Sequence, residues 1–127
     1  MVLVRQEVVQ YFTKKEEEFV NLLIKIGTKK NVATVLVFLV STPEATARAI
    51  ERGTDLRQPE VSIAMKYLME QGWTKSSESP SKHKGRPVHV YELAKSITEI
   101  MEFIEKEKKI ETNKQLALVK KLRNYID

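Results

Sequence analysis

Hydrophobic positions recur at helical spacing through the first 72 residues, alternate over two short stretches, and return to helical spacing up to the C-terminus. Val4, Val8 and Phe12 fall four apart, so residues 1–12 read as a helix. A strand is the rival, because the segment is rich in β-branched and aromatic residues. Thr13-Lys14-Lys15-Glu16 has capping-box spacing, in which a threonine hydroxyl and a glutamate carboxylate each satisfy a free amide at a helix start. Phe19, Val20, Leu23 and Ile26 then share one face, and Gly27 is a natural stop. Asn31 is placed to cap a second helix, Val32 to Val40, apolar nearly all round and so buried on most sides. The high β-propensity of Val35-Leu36-Val37-Phe38-Leu39-Val40 keeps a buried strand open. Pro43 disfavours helix in the residue before it and closes the segment.

Glu44-Ala45 reads as a short strand. Thr46 caps a helix from Ala47 to Arg52, with Ala49 and Ile50 inward and Gly53 as its left-handed end. Thr54 to Arg57 make a turn, with Leu56 as its apolar plug. Pro59 suits a first helical turn, where its missing amide costs nothing. Val61, Ala64, Met65 and Leu68 form the inward stripe of that helix, which runs over 58–71. Its other face shows Gln58, Ser62, Lys66 and Ile63, with Arg57 just ahead and Tyr67 toward an edge. Gly72 ends it. Trp73 to Ser77 and Val88 to Leu93 alternate with period two and pair as a hairpin, 75–91, around a polar tip.

Charge changes this picture. The net charge is +5, and residues 72–95 hold five cations against two carboxylates, whereas 31–56 hold two against three. The excess sits in the hairpin, on Lys82, Lys84 and Arg86, as a local basic patch suited to a polyanion. Residues 57–71 are neutral. Arginine and glutamine can bond base edges bidentately, while serine and lysine reach bases or phosphates. That helix would therefore read sequence more than supply affinity.

In order, Glu44 to Leu56, Gln58 to Ser62, Tyr67 to Trp73, and Lys84-Gly85-Arg86-Pro87-Val88 to Leu93 resemble the winged helix-turn-helix transcriptional regulators. The closest likeness is to archaeal regulators similar to the MarR, TrmB and ArsR groups, and it covers roughly residues 18–93. The resemblance implies a mainly α fold with a small β-hairpin wing and extra N- and C-terminal dimerisation helices. It makes 58–71 the recognition helix in a major groove of double-stranded DNA and 75–91 a wing on the backbone or minor groove. The expected DNA contacts are Arg57, Gln58, Ser62, Lys66, Tyr67, Lys82, Lys84 and Arg86. The chain departs from ArsR-like metal sensors in having no cysteine. It has no residues for the sugar-binding domain of TrmB-like proteins, and no MarR-like ligand pocket is legible. His83 and His89 flank the hairpin tip and suit a structural or phosphate-contacting role, so no metal or cofactor is expected.

Ser96-Ile97-Thr98-Glu99 is a second capping box, followed by Ile97, Ile100 or Met101, and Ile104 on one face. A charged stretch leads to Leu116, Val119, Leu122 and Ile126, so 95–127 is one long helix or a helical pair with Thr112 as a second cap. These stripes suit pairing with a second copy, with residues 1–12 as a further arm within the subunit or across the dimer; the rival is packing back on residues 14–40 of the same chain. At 127 residues, a single domain is expected, with its DNA-binding core in 13–93. No apolar run is long enough to span a bilayer, and no signal layout opens the chain, so a cytoplasmic protein is expected. No Gly-rich phosphate loop or cysteine nucleophile supports an enzyme. The rival to a homodimeric regulator is a winged-helix module that binds protein through the recognition-helix face.

Overall fold

The computed structural model describes residues 12–79 and 88–126. The expected helix over 1–12 lies, but for Phe12, outside the described residues, as do Lys82, His83, Lys84 and Arg86. Five helices and one hairpin run in the order α1 (Lys14–Lys25), α2 (Lys30–Ser41), α3 (Ala47–Thr54), α4 (Gln58–Glu70), β1 (Thr74–Ser79), β2 (Val88–Leu93) and α5 (Ile97–Ile126). They form two compact units, Met1–Ala94 and Lys95–Asp127.

In the first unit, helix starts and stops follow local chemistry. The Glu16 amide donates to Thr13 Oγ1 at 3.1 Å and the Thr13 amide to Glu16 Oε1 at 2.8 Å, which completes the capping box of α1. Both α1 and α4 end in the same reverse turn. Thr28 N–H donates to the Leu23 carbonyl and Gly27 N–H to that of Ile24; Trp73 N–H donates to Leu68 and Gly72 N–H to Met69. The turn needs a left-handed residue after the cap, and Gly72 supplies it at φ 78°.

Helix α2 is the centre of the unit. Val32, Ala33 and the run Val35 to Leu39 are all buried, as an all-apolar helix requires. It is a helix and not a strand, and α1, α3 and α4 pack around most of its sides, leaving Val40 exposed. Its start differs from expectation: Lys29 takes the cap position without a side-chain bond, and Asn31 lies inside the helix. Thr42 is extended at φ −126° and ψ 107°, as the residue before Pro43 must be. On α1, Val20 and Leu23 are buried but Ile26 is 41% exposed, because it has become the C-cap and has left the helical face.

Helix α3 runs two residues beyond the expected Arg52, and Gly53 is not its left-handed end. That role falls to Asp55 at φ 59°, an aspartate being one of the few side chains at ease there. Gly53 is buried, and a methyl group in its place would collide with the Phe38 ring of α2. Close helix crossing, not backbone twist, is the reason for glycine at 53.

Strands β1 and β2 pair antiparallel from Thr74 opposite Leu93 to Ser79 opposite Val88. Trp73 is buried ahead of β1 and lies outside it. The alternation read in β2 does not sort into buried and exposed faces: Val88 and His89 are exposed, and Val90 to Leu93 are all half-buried. A short ribbon covered only near its base has a gradient along its length instead. Ala45 adds a one-residue third strand, its amide and carbonyl both bonded to Tyr91 at 3.0 and 2.8 Å.

In the second unit, α5 is a single helix of 30 residues, so Thr112 is no cap. It opens on the second capping box, with Ser96 N–H to Glu99 Oε1 at 3.0 Å and Glu99 N–H to Ser96 Oγ at 3.1 Å. Ile100 is buried, and every described residue from Lys109 onward is exposed. No described helix is long and apolar enough to cross a membrane.

Candidate nucleic-acid interface

Helix α4 is fixed on one side and bare on the other. Val61, Ala64, Met65 and Leu68 are all at most 3% exposed, which locks its rotation about its own axis. Arg57, Gln58, Ser62, Ile63, Lys66 and Tyr67 are all exposed. With about 100° between successive residues, the direction opposite the core stripe passes close to Pro59 and Lys66 and within about 30° of Ile63. Ser62 and Tyr67 flank this ridge on either side, and Gln58 stands at its edge. Ile63 is 71% exposed.

The start of α4 is held by Arg57 N–H donating to Glu60 Oε1 at 2.9 Å, so Glu60 is committed to the cap. The Arg57 guanidinium sits just before the first turn. Tyr67 serves two surfaces: its ring meets Trp73 edge-on, with centroids 6.3 Å apart and planes at 81°, and it remains 42% exposed. It thereby ties the outward face of α4 to the root of the hairpin. Beside α4 runs an open groove of about 490 Å³, bounded by Ala47 at the start of α3, by Gln58, Ser62, Met65 and Lys66, and by Tyr91 of β2.

Near its base the hairpin carries Lys75 opposite Glu92, with Nζ to Oε1 at 3.9 Å, and toward its other end His89 opposite Glu78, with Nε2 to Oε2 at 3.9 Å. Glu92 is half-buried and the other three side chains are largely in solvent, so these pairs add little to stability. The Lys75–Glu92 pair cancels charge where the strands begin and end. His89 faces a carboxylate. Among the described residues no group of three His, Asp or Glu is placed to hold a metal.

The structure thus brings Arg57, Gln58, Ser62, Lys66 and Tyr67 together on one exposed face, and both strands of the hairpin belong to the same unit. Ile63 is the residue whose weight the sequence understated. Its distance of two from Val61 and one from Ala64 already marked it as off the core stripe.

No family model and no curated protein matches this chain. Solved structures do. A possible transcriptional regulator from Methanosarcina mazei Go1 superposes with a TM-score of 0.65 at 18% identity, over 79% of this chain and 83% of that one. The archaeal chromatin protein TrmBL2 gives 0.66 at 16% identity over 87% of this chain, which spans only 40% of TrmBL2. A MarR family regulator from Neisseria meningitidis gives 0.50 at 18% identity, over 87% and 84% of the two chains. The helices, the hairpin and their order agree with this likeness: the chain has the winged-helix fold that these transcriptional regulators share.

Proposed function

We propose that this protein is a sequence-specific regulator of transcription that binds double-stranded DNA as a homodimer. Helix α4 lies in the major groove, and the hairpin grips the backbone or minor groove. The observation that carries this reading is the outward face of α4. A rigidly seated helix presents Arg57, Gln58, Ser62 and Lys66 to solvent beside a basic hairpin, and it exposes Ile63 where a soluble helix ordinarily has a charge. An exposed isoleucine among hydrogen-bonding side chains suits the 5-methyl group of thymine. Lys82, Lys84 and Arg86 supply the sequence-independent attraction that the neutral α4 lacks.

The test is fluorescence-anisotropy binding to short duplexes over a salt series, together with selection from a random-site pool. Salt-sensitive binding and enrichment of a palindrome are expected. Lys84→Ala with Arg86→Ala removes two cations from each copy, so it should weaken binding to every sequence and reduce the slope of log K against log salt by about 4 for the dimer. Gln58→Ala, Ser62→Ala and Ile63→Ala should instead narrow the gap between selected and unselected sites, with Ile63→Ala acting at an A·T pair. A uniform loss from these three would refute base reading by α4.

The zero net charge of residues 57–71 favours a second reading, a protein-interaction module that uses the same face. Absence of DNA binding even at low salt would select it.

A further inference from the structure

Given the homodimer proposed above, we infer that two copies join through α5, that the two helices run antiparallel, and that charge sets this polarity. From Leu116 to Ile126 the helix exposes six large apolar side chains, among them Leu118 at 58%, Leu122 at 64% and Tyr125 at 90%. A patch of that size on a lone helix calls for a partner surface. The partner is identified by the helix itself.

Two features of α5 point to its own copy reversed. First, charge is segregated along it. Residues 97–111 carry five glutamates against three lysines, whereas 112–126 carry Lys114, Lys120, Lys121 and Arg123 and no acid. Side by side and antiparallel, each acidic half lies along a basic half. Side by side and parallel, like meets like.

Second, a seam of alternating four- and three-residue steps runs the length of the helix, the spacing of a coiled-coil contact line. Its ends are apolar, the half-buried Ile97, Met101 and Ile104 at one and the exposed Leu118, Leu122 and Tyr125 at the other; its middle is Lys108, Glu111 and Gln115. In the antiparallel register that stacks these layers, Ile97 meets the partner's Leu122 and Met101 meets the partner's Leu118. Lys108 meets the partner's Glu111, and Glu107 flanks the partner's Lys114. Within one helix Lys108 Nζ already lies 3.6 Å from Glu111 Oε2, so the centre becomes a network of four alternating charges. The parallel in-register pair sets Lys108 against the partner's Lys108 and Glu111 against the partner's Glu111 in the contact line, which is strongly disfavoured.

The register separates the two copies of position 97, the first residue of α5, by about 38 Å along the axis, at 1.5 Å per residue. A parallel pair would hold the two starts only about 10 Å apart.

The chain has no cysteine, so single cysteines report the geometry cleanly. Full-length Met101→Cys and Leu118→Cys proteins are oxidised separately and after mixing with subunit exchange, and each is sized by sedimentation. The expected result is a dimer that becomes disulfide-linked only in the mixture. Copies of position 118 in the antiparallel pair lie about 25 Å apart, far beyond disulfide reach. Linking by Leu118→Cys alone would show a parallel pair and overturn the inference. A dimer that links in neither case would overturn the seam while sparing the homodimer, and a monomer would remove both. Independently, Lys108→Glu should weaken the dimer by at least about ten-fold, and adding Glu111→Lys should restore it. A double variant no tighter than the single would overturn the charge rule.

Discussion

Gly53 shows how one missing side chain sets a helix crossing. Its α-carbon faces the ring of Phe38, itself 2% exposed at the centre of the core, so that α2 and α3 approach more closely than an alanine would permit. Gly53→Ala is expected to destabilise the fold by about 1–3 kcal/mol through overpacking, read from the urea midpoint at unchanged m. Phe38→Leu in the Gly53→Ala background should return part of that loss, because the ring is what the methyl meets. Gly72→Ala makes the contrast. No atom lies within 4 Å of the added carbon, and only the φ of 78° is strained. Its cost should be about 1 kcal/mol, and Phe38→Leu should not change it. Equal rescue of both variants would refute the distinction between contact and conformation.

At the scale of elements, the caps do more than start helices. Glu16 closes the box on Thr13 and also accepts from Ser41 Oγ at 2.7 Å, so the first turn of α1 is tied to the last turn of α2. The backbone amide of Thr13 foremost, and then the Ser41 hydroxyl, hold the Glu16 carboxyl below the usual carboxylate range. A carboxylate with a depressed folded pKa adds stability that is present above its unfolded pKa and is lost as pH falls through the folded value. Stability of the parent should therefore decline as pH drops below about 4.5, and Glu16→Gln should remove part of that decline. Thr13→Ala should cost about 1 kcal/mol at neutral pH. The check is chemical denaturation at pH 3, 4, 5 and 7; parallel curves for parent and Glu16→Gln would count against the link. Glu99 is lowered in the same way by the Ser96 amide and hydroxyl, at a position fully in solvent.

For the whole molecule, two α4 helices held by a dimer should be sensitive to the phase of the DNA. In a selected palindrome, five extra base pairs between half-sites turn one of them to the opposite face. Binding should then fall by about 10²–10⁴, the loss expected when the second contact is no longer intramolecular. Ten extra pairs restore the phase while lengthening the separation by about one turn of DNA, roughly 34 Å. A titration series with these three duplexes measures both effects. Indifference to a five-pair insertion would mean that each winged-helix unit binds alone.

Much of this organisation was legible in the residues. Both capping boxes, Pro59, Gly72 and the Val61-Ala64-Met65-Leu68 stripe are local signals, and local hydrogen bonding and periodicity fixed the elements they mark. Residues 88–93 formed the strand their composition favoured. The outward set on α4 followed from the stripe, since a helix with one face buried has its other face determined.

Only the tertiary structure decided the rest. Asn31 is a good cap by type, yet α2 begins at Lys30, with the Ala33 amide donating to the Lys29 carbonyl at 2.9 Å. Gly53 is a good helix end by type, yet its use depends on Phe38, 15 residues earlier in sequence and adjacent only after folding. The exposure of Ile63 depends on where α2, α3 and β1 lie, the elements that seat α4. Sequence determines what each segment can satisfy by itself, through its own backbone bonds and its own apolar period. What a residue is pressed against, and what it leaves bare, is decided by segments that meet only when the chain has closed on its core.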